Sequence, residues 1–417
     1  MIDKIKRYIY VMAGTLMLLL AGIIYAWSIL NEPFQREFGW SQGALGLNFT
    51  LTMGFFCIGL IVGGFLLKKL SLRKIIICSG FLVFAGFSIT GMMSGKHILV
   101  LYIAYAILCG VGIGMVYNAV ISSVVGWFPH KRATISGILM MGFGASTLVF
   151  GLIANTVMDT IGWRNMYMGI GVTILVVFTI CSFVIKAYLP PKTENIEEKD
   201  GADDGEMEDR DSSVKRNLAR SKEVDIDKTT REVLLLPVFW RFYTFVALIA
   251  GVGACFIAMG RDMATFVGTT EKIAVLLVGV ASISNGIGRI VAGIIFDKKG
   301  SLSAMRTAGT IATLAPLLIL LTSNTRLTIF FVLASVLVGA SYGFTPVLTS
   351  GFIGKNFGMK HFPVNFSIAS SFLFVASSSA AIGGWRQGIT GHFNPVFIFM
   401  TILGVLGIAM GETLKKV

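Results

Sequence analysis

Arg289 is the residue whose type and position most clearly indicate chemistry. It stands in a long apolar run over 272–296, eight residues before Asp297, and so about 12 Å from that point on a helix that rises 1.5 Å per residue. Outside 189–238, every acidic residue lies at the end of an apolar run or between runs, so no carboxylate can pair with Arg289 at that depth. A charge in such a run is kept where it meets water, a partner or a ligand. The planar guanidinium matches a carboxylate, and we predict that Arg289 binds one.

A plainer interpretation of Arg289 stays open. The side chain could extend to the nearer membrane interface or donate hydrogen bonds to backbone carbonyl groups. An internal repeat favours the binding interpretation, because the position 229 residues earlier is Leu60 and the charge therefore occurs once. A binding group needs to occur in one half only. A residue that served the fold would be expected at the equivalent position of both halves.

The composition excludes an ordinary soluble protein. Of the 417 residues, 55% are hydrophobic and 14% are charged, whereas soluble domains carry about a quarter charged residues. The five cysteines stand singly in apolar stretches, which indicates neither a disulfide framework nor a zinc site. No phosphate-binding loop and no paired carboxylates occur in an apolar run, so a membrane enzyme is not favoured and no cofactor is expected.

Twelve apolar runs are long enough to cross a bilayer core of roughly 30 Å, which takes about twenty residues as a helix. They predict an all-α membrane protein of twelve transmembrane helices in two six-helix halves, 1–188 and 239–417. The predicted helices are 8–30, 43–67, 74–94, 97–126, 133–157, 164–188, 239–262, 272–296, 305–322, 326–350, 364–384 and 394–413. Two similar halves predict a transporter with a central substrate site.

The segment 189–238 separates the two halves and is predicted to be a disordered linker. It holds 14 of the 22 acidic residues and few apolar ones, so it cannot bury a core. Whether it regulates the protein stays open.

Basic residues predict the orientation of the chain. Sixteen Lys and Arg residues of the short loops and termini fall on one side and seven on the other, which predicts that both termini and the linker are cytoplasmic. The net charge of +13 then faces anionic lipid, and no nucleic-acid partner is expected. We expect a functional monomer in the cell membrane.

The two halves carry an internal repeat at an offset of 229 residues. The segments Gly64–Ser71 and Gly293–Gly300 match, and so do Gly110 to Gly114 with Gly339 to Gly343. The motif of Gly293, Asp297, Lys298 and Gly300 resembles the loop signature of the major facilitator superfamily, although Lys68 and Ser71 replace its Asp and Gly in the first half.

More narrowly, the chain resembles the oxalate/formate antiporter family and the related monocarboxylate transporters. The stretches that carry this resemblance are Tyr25-Ala26-Trp27-Ser28 with Pro33, Gly112-Ile113-Gly114-Met115-Val116-Tyr117, Trp127-Phe128-Pro129 with Lys131-Arg132, Pro237-Val238-Phe239-Trp240, Asn285-Gly286 with Arg289, and Ser341-Tyr342 with Pro346. The resemblance implies the major facilitator fold, a conformational loop motif that includes Lys131 and Arg132, and Arg289 as the substrate-binding arginine.

The resemblance also implies which residues line the cavity and which features depart from the family pattern. Tyr25, Tyr117 and Tyr342 match aromatic positions of the cavity, though helix packing is an equal alternative for each of them. Leu373 stands where the oxalate exchanger type has a second cation. Asn285 stands where proton-coupled relatives have an Asp one turn before the arginine, so an obvious proton carrier is missing.

Small residues supply the remaining candidates. Ser370 and Ser371, near the expected midpoint of the eleventh helix, could solvate the cavity or allow close helix contact. Four glycines of the fifth helix indicate a packing seam between the halves: Gly137, Gly142, Gly144 and Gly151.

These observations predict a secondary transporter of a small organic carboxylate. One buried cation neutralises one carboxylate, so a monocarboxylate is favoured over oxalate, and exchange or uniport is favoured over proton symport. A proton-coupled symporter and an oxalate/formate-type dicarboxylate exchanger remain alternatives, and a non-transporting membrane sensor or scaffold is the alternative of a different class. The sequence names neither the carboxylate nor the coupling ion.

Overall fold

A computed structural model of the chain describes residues 2–188 and 227–415, called here the first and second halves, and these residues form helices joined by short loops. Eleven helical stretches of the described residues are long and apolar enough to cross a membrane. The helix Arg132–Ile161 packs among them as the twelfth.

We number the twelve helices in chain order. The first half contains α1 (Ile2–Ala21, continued by Gly22–Ala26 and Trp27–Leu30), α2 (Gln42–Leu66), α3 (Leu72–Met92), α4 (Ile98–Leu101, Tyr102–Cys109 and Gly110–Val125), α5 (Arg132–Ile161) and α6 (Trp163–Val184). The second half contains α7 (Pro237–Phe266), α8 (Glu271–Lys299), α9 (Ser301–Thr325), α10 (Thr328–Asn356), α11 (Phe362–Ser370 and Phe372–Thr390) and α12 (Asn394–Glu412).

The twelve predicted helices are all found, with corrected boundaries. Helices α7 to α11 run several residues beyond their apolar runs, because polar residues such as Lys298 extend a helix into the interface. A short helix that was not predicted, Glu32–Phe38, follows α1, with Pro33 in its first turn and Gly39 in a left-handed conformation at its end.

The described structure begins again at residue 227, inside the predicted linker 189–238, whose extent as a domain boundary stays a prediction. A helix already forms at Thr230–Leu235, because Thr229 and Glu232 make a reciprocal capping box at its start, and α7 begins at Pro237. The predicted disorder of 189–226 lies outside the described residues.

Several contacts bring both termini to one end of the helix bundle. Arg7 and Tyr8 contact Trp127 and Phe128 where α4 ends, and Arg306 at the start of α9 pairs with Glu412 at the end of α12. Since α5 follows α4 and its start contacts Asp297 at the end of α8, all of these groups share one end, which we call the terminus end. Whether this end is cytoplasmic stays a prediction.

Candidate functional site

Arg289 lies inside the protein, with its side chain directed from α8 across to the other half. The residue is 3% exposed and is the one charged residue among the buried residues of the described ranges. Its Nη1 donates to the carbonyl of Met140 in α5, and its Nε donates to Oδ1 of Asn285 at 3.2 Å. Two of its five N–H groups thus have acceptors among the described residues, and three are left for a ligand.

The alternative interpretation of Arg289 is correct in one part. The side chain does hydrogen-bond a backbone carbonyl, as that interpretation required, but its burial excludes an extended position at an interface. The carbonyl belongs to the opposite half, so this hydrogen bond also joins the two halves.

Two glycines of α5 allow α8 to approach closely enough for this contact. A Cβ at Gly137 would overlap the carbonyl oxygen of Arg289, and a Cβ at Gly144 would lie 3.3 Å from the guanidinium carbon. The predicted glycine seam between the halves is therefore present at these two positions. It is wrong for Gly142, whose hypothetical Cβ would contact Thr15 of α1 in the same half.

An aromatic cluster lies near Arg289, and two of its rings, Tyr25 and Tyr117, interact electrostatically with the guanidinium. The ring centroids of Tyr25 and Phe143 are 5.2 Å apart, those of Tyr117 and Phe143 5.0 Å, and those of Phe56 and Tyr117 5.4 Å, all edge-to-face. The four rings come from α1, α2, α4 and α5, so the first half builds this cluster. Edge-to-face rings of this kind hold one another in fixed positions.

Three tyrosine hydroxyls gather around the charge. The Arg289 guanidinium acts electrostatically on Tyr25, Tyr117 and Tyr342, and Tyr342 is the one that comes from the second half. The ring of Tyr342 packs where α7 has Gly253, and a Cβ at Gly253 would lie 2.5 Å from that ring. The structure therefore brings the three predicted tyrosines and Arg289 together.

The remaining predicted residues divide into two groups. Asn285 joins the site through its hydrogen bond to Arg289, one helical turn away. Ser371 instead contacts the hydroxyl of Tyr243 in α7 at 3.0 Å and donates to the carbonyl of Ile368. Ser370 is buried beside the break in α11, and no hydrogen bond of the described residues links either serine to Arg289. Leu373 is half-buried against the apolar core.

The loop motif of Gly293, Asp297, Lys298 and Gly300 lies at the terminus end and joins α8 to α5. Both carboxylate oxygens of Asp297 accept backbone N–H groups of the first turn of α5, from Ala133 at 3.2 Å and from Thr134 at 2.7 Å. A carboxylate at a helix N-terminus satisfies free N–H groups and interacts favourably with the helix dipole. Gly293 permits this approach, because its Cβ would lie 2.5 Å from the carbonyl of Ala133.

The other residues of the motif lie at the end of α8 and at the start of α5, on either side of this contact. Lys298 lies in the last turn of α8, where a positive charge is favourable, and Gly300 ends the helix with φ +87°. Lys131 is the residue before α5, and Arg132 begins that helix.

A second contact between the halves lies at the same end, where α11 meets α2 and α4. Asn118 of α4 donates from Nδ2 to the carbonyls of Leu60 at 2.7 Å and of Pro363 at 2.8 Å. Gly64 makes room, because its Cβ would lie 2.7 Å from the Pro363 carbonyl. The Asn118 contact and the Asp297 contact together close the terminus end of the bundle. We call the contact of Asp297 with α5 the α5 latch, and the contact of Asn118 with Pro363 the α11 latch.

Sequence reasoning missed Met140, Phe56, Phe143 and Asn118. A backbone carbonyl leaves no trace in residue type, and two phenylalanines among 32 carry no signal of their own. Asn118 had a usable signal, because a carboxamide in the apolar run over 97–126 needs hydrogen-bond partners when it is buried.

Within the described residues the chain is a bundle of twelve long helices, with Arg289 as its one buried charged residue. The family model of the Major Facilitator Superfamily matches residues 9–384, and the chain belongs to that superfamily. The comparisons therefore agree with the prediction of a transporter rather than an enzyme.

Two individual relatives within the superfamily are named as transporters of carboxylates. The chain is 24% identical to the oxalate:formate antiporter of Oxalobacter formigenes over 430 aligned residues, which cover 99% of this chain and 94% of that protein. It is 26% identical to monocarboxylate transporter 14 of Homo sapiens, over 43% of this chain and 34% of that protein.

A solved structure supports the fold. The proton:xylose symporter XylE, bound to 6-bromo-6-deoxy-D-glucose, matches with a TM-score of 0.76 at 14% identity, over 99% of this chain and 96% of that one.

Proposed function

We propose that the protein transports a small monocarboxylate across the cell membrane by alternating access, as an exchanger or uniporter. The observation that carries this proposal is Arg289, which is buried, forms no ion pair with a described residue, and lies near a cluster of aromatic rings. A positive charge in that position is favourable only when an anion or water completes its surroundings. The relatives named for oxalate, formate and monocarboxylates favour a carboxylate.

The single buried charge favours a monocarboxylate over a dicarboxylate. Leu373 is apolar and half-buried where a second cation would be needed, so the second carboxylate of a dianion would lack a partner. An unpaired buried charge costs several kcal/mol, which disfavours binding of oxalate at this site.

The surroundings of Arg289 support exchange or uniport over proton symport. Asn285 donates no proton at ordinary pH, and its Oδ1 already accepts from Arg289 at 3.2 Å. The cavity-lining groups named here are tyrosines, phenylalanines and an asparagine, none of which titrates near neutral pH.

The proposed function is tested by counterflow in proteoliposomes. Vesicles loaded with unlabelled formate, lactate or pyruvate are diluted into the same labelled acid, and we expect transient accumulation of label with at least one of these acids. The matched control is the Arg289→Ala protein in the same vesicles. Counterflow with none of the tested carboxylates would contradict the proposal.

Introducing a second cation should change the charge preference of the site. We expect Leu373→Lys to improve competition by oxalate at least about tenfold and to weaken that by lactate, because one added charge pair changes binding by roughly 1.4 kcal/mol or more. Competition against a labelled substrate on the purified protein measures both effects, with Leu373→Met as the control of similar length. A wild-type protein that already prefers oxalate would contradict the monocarboxylate assignment.

The charged part of the linker should be dispensable. We expect deletion of 195–220 to leave the transport rate within about twofold of wild type, since the closure of a long connecting segment changes little in free energy with its length. Initial uptake rates normalised to inserted protein provide the measurement. A large loss of rate in a correctly inserted deletion protein would give the linker a mechanistic role.

A further inference from the structure

The two latches at the terminus end are related by the internal repeat but differ in charge. In the α5 latch, Asp297 places its carboxylate on the N-terminus of α5. The residue at the equivalent position of the first half is Lys68, and the helix that it faces is α11, which begins at Phe362. A positive charge at a helix N-terminus is unfavourable, so the α11 latch lacks the electrostatic support that the α5 latch has.

The electrostatic surroundings of His361 place Lys68 near the start of α11. The positive charge of Lys68 acts on His361, the residue that precedes α11 and makes no capping hydrogen bond with its side chain. Lys68 and His361 belong to different halves, so their charges repel each other across the closed end whenever His361 is protonated. Lys360, one residue earlier, adds a further positive charge on the same loop.

The residues that precede α7 bring negative charge to the start of α11. Asp227 accepts the backbone N–H of Lys360 through Oδ1 at 3.1 Å, and it packs against Gly358, whose φ of +77° and lack of a Cβ leave the room. The position equivalent to Gly358 in the first half is Pro129, which cannot adopt a positive φ. The room that Asp227 occupies beside Gly358 is therefore a feature of the second half, and the equivalent position of the first half does not provide it.

Two backbone contacts fix the segment on the loop. The N–H of Lys228 donates to the carbonyl of Phe357 at 3.1 Å, and the carbonyl of Lys228 accepts from Nδ2 of Asn365 in the first turn of α11 at 3.1 Å. Glu232 follows in the short helix Thr230–Leu235, where it acts electrostatically on His361. We call residues 227–232 the clasp.

We propose that the clasp is part of the α11 latch. Lys68 stands where the α5 latch has the carboxylate of Asp297, and Asp227 and Glu232 supply the missing negative charge from the end of the linker. They thereby stabilise the closed terminus end. The clasp holds the loop 357–361 in place, and that loop sets the position of Pro363, whose carbonyl joins α11 to Asn118 of the first half. Asp227 and Glu232 are positioning residues, since they act through the loop and not on the transported molecule.

His361 makes the α11 latch sensitive to acid, and Asp227 and Glu232 of the clasp weaken this sensitivity. Partial burial lowers the pKa of His361 from its ordinary value, and Lys68 and Lys360 lower it further, whereas Asp227 and Glu232 raise it. His361 therefore binds a proton less readily in the closed state than when it is free in water, where its pKa is about 6.5. As pH falls below that value, protonation favours the state in which His361 has moved away from Lys68, so the open state gains population. We expect His361→Gln to remove this dependence.

Distances between spin labels on the two halves test the proposal without any substrate, so its failure is distinguishable from failure of the proposed function. The labels go on Lys74→Cys at the start of α3 and Lys355→Cys in the last turn of α10, two exposed positions at the terminus end, in a protein with Cys78→Ser. In the double variant Asp227→Asn, Glu232→Gln, we expect the long-distance population to rise about threefold to tenfold, the effect of two charges lost near a helix N-terminus.

Two further variants decide the interpretation. Adding Lys68→Asp to the double variant should restore the wild-type distance distribution, because it places a carboxylate where Asp297 stands in the other latch. Glu412→Gln removes one negative charge at the same end, from a pair with Arg306 within the second half, and should change nothing. An unchanged distribution in the double variant, or no recovery with Lys68→Asp, would overturn the proposal.

Discussion

Replacing Arg289 by alanine or by lysine is expected to reduce carboxylate transport at least about a hundredfold. Alanine leaves the carboxylate with no counter-charge in the cavity, and lysine keeps the charge but loses the planar pair of N–H donors. Lysine also cannot reproduce the two simultaneous contacts that the guanidinium makes, to the carbonyl of Met140 and to Asn285. Counterflow rates per inserted protein provide the measurement.

The control for this prediction is a basic residue outside the cavity. Arg386 lies in α11 and is exposed, so Arg386→Lys should retain the wild-type rate. Transport at the wild-type rate by both Arg289 variants would show that Arg289 is a structural residue and that the site lies elsewhere.

Replacing Gly137 by valine is expected to abolish transport by a different route. A Cβ there overlaps the backbone carbonyl of Arg289, and backbone cannot move aside as a flexible side chain can. Helices α5 and α8 would be held apart, so the terminus end could not close and the transport cycle would stop in one orientation. The same pair of labels at Lys74→Cys and Lys355→Cys should report the long distance alone.

Gly169→Val is the matched control for this substitution. Gly169 lies within α6, and a Cβ at this position meets no heavy atom within 4 Å, so the same change of residue should leave transport intact. A Gly137→Val protein that still closes and transports would mean that the close approach of α5 and α8 is dispensable.

The helices could be predicted well from the sequence because a bilayer imposes a length on each apolar run. The ends of α7 to α11 could not, since a helix continues into the interface without apolar residues, as Lys298 does in α8. The helix Thr230–Leu235 escaped prediction because the mixed charge of the linker concealed the capping pair of Thr229 and Glu232.

The site could be predicted in part. Arg289 could be found because a lone charge in an apolar run is costly, and the tyrosines because of their resemblance to a family pattern. The carbonyl of Met140 and the ring of Phe143 could not be found, because their roles depend on which faces of α5 and α8 meet. That choice is made by packing around Gly137 and Gly144, and a helix with small residues at several positions leaves the choice open.

Arg289, the one charged residue that is buried in the described ranges, has an electrical consequence for the proposed transport. A site that holds Arg289 and a monoanion is neutral, whereas the same site without its anion carries one positive charge, so the step that reorients the loaded site moves no net charge. A membrane potential then acts on the return of the unloaded site, with about 2.3 kcal/mol per charge for each 100 mV that the site crosses. One-for-one exchange of monoanions would be indifferent to voltage, and net uptake of a monoanion would be slowed or driven by it. Electrical recordings on reconstituted membranes, made with a monoanion that the protein transports in counterflow, would separate exchange from uniport.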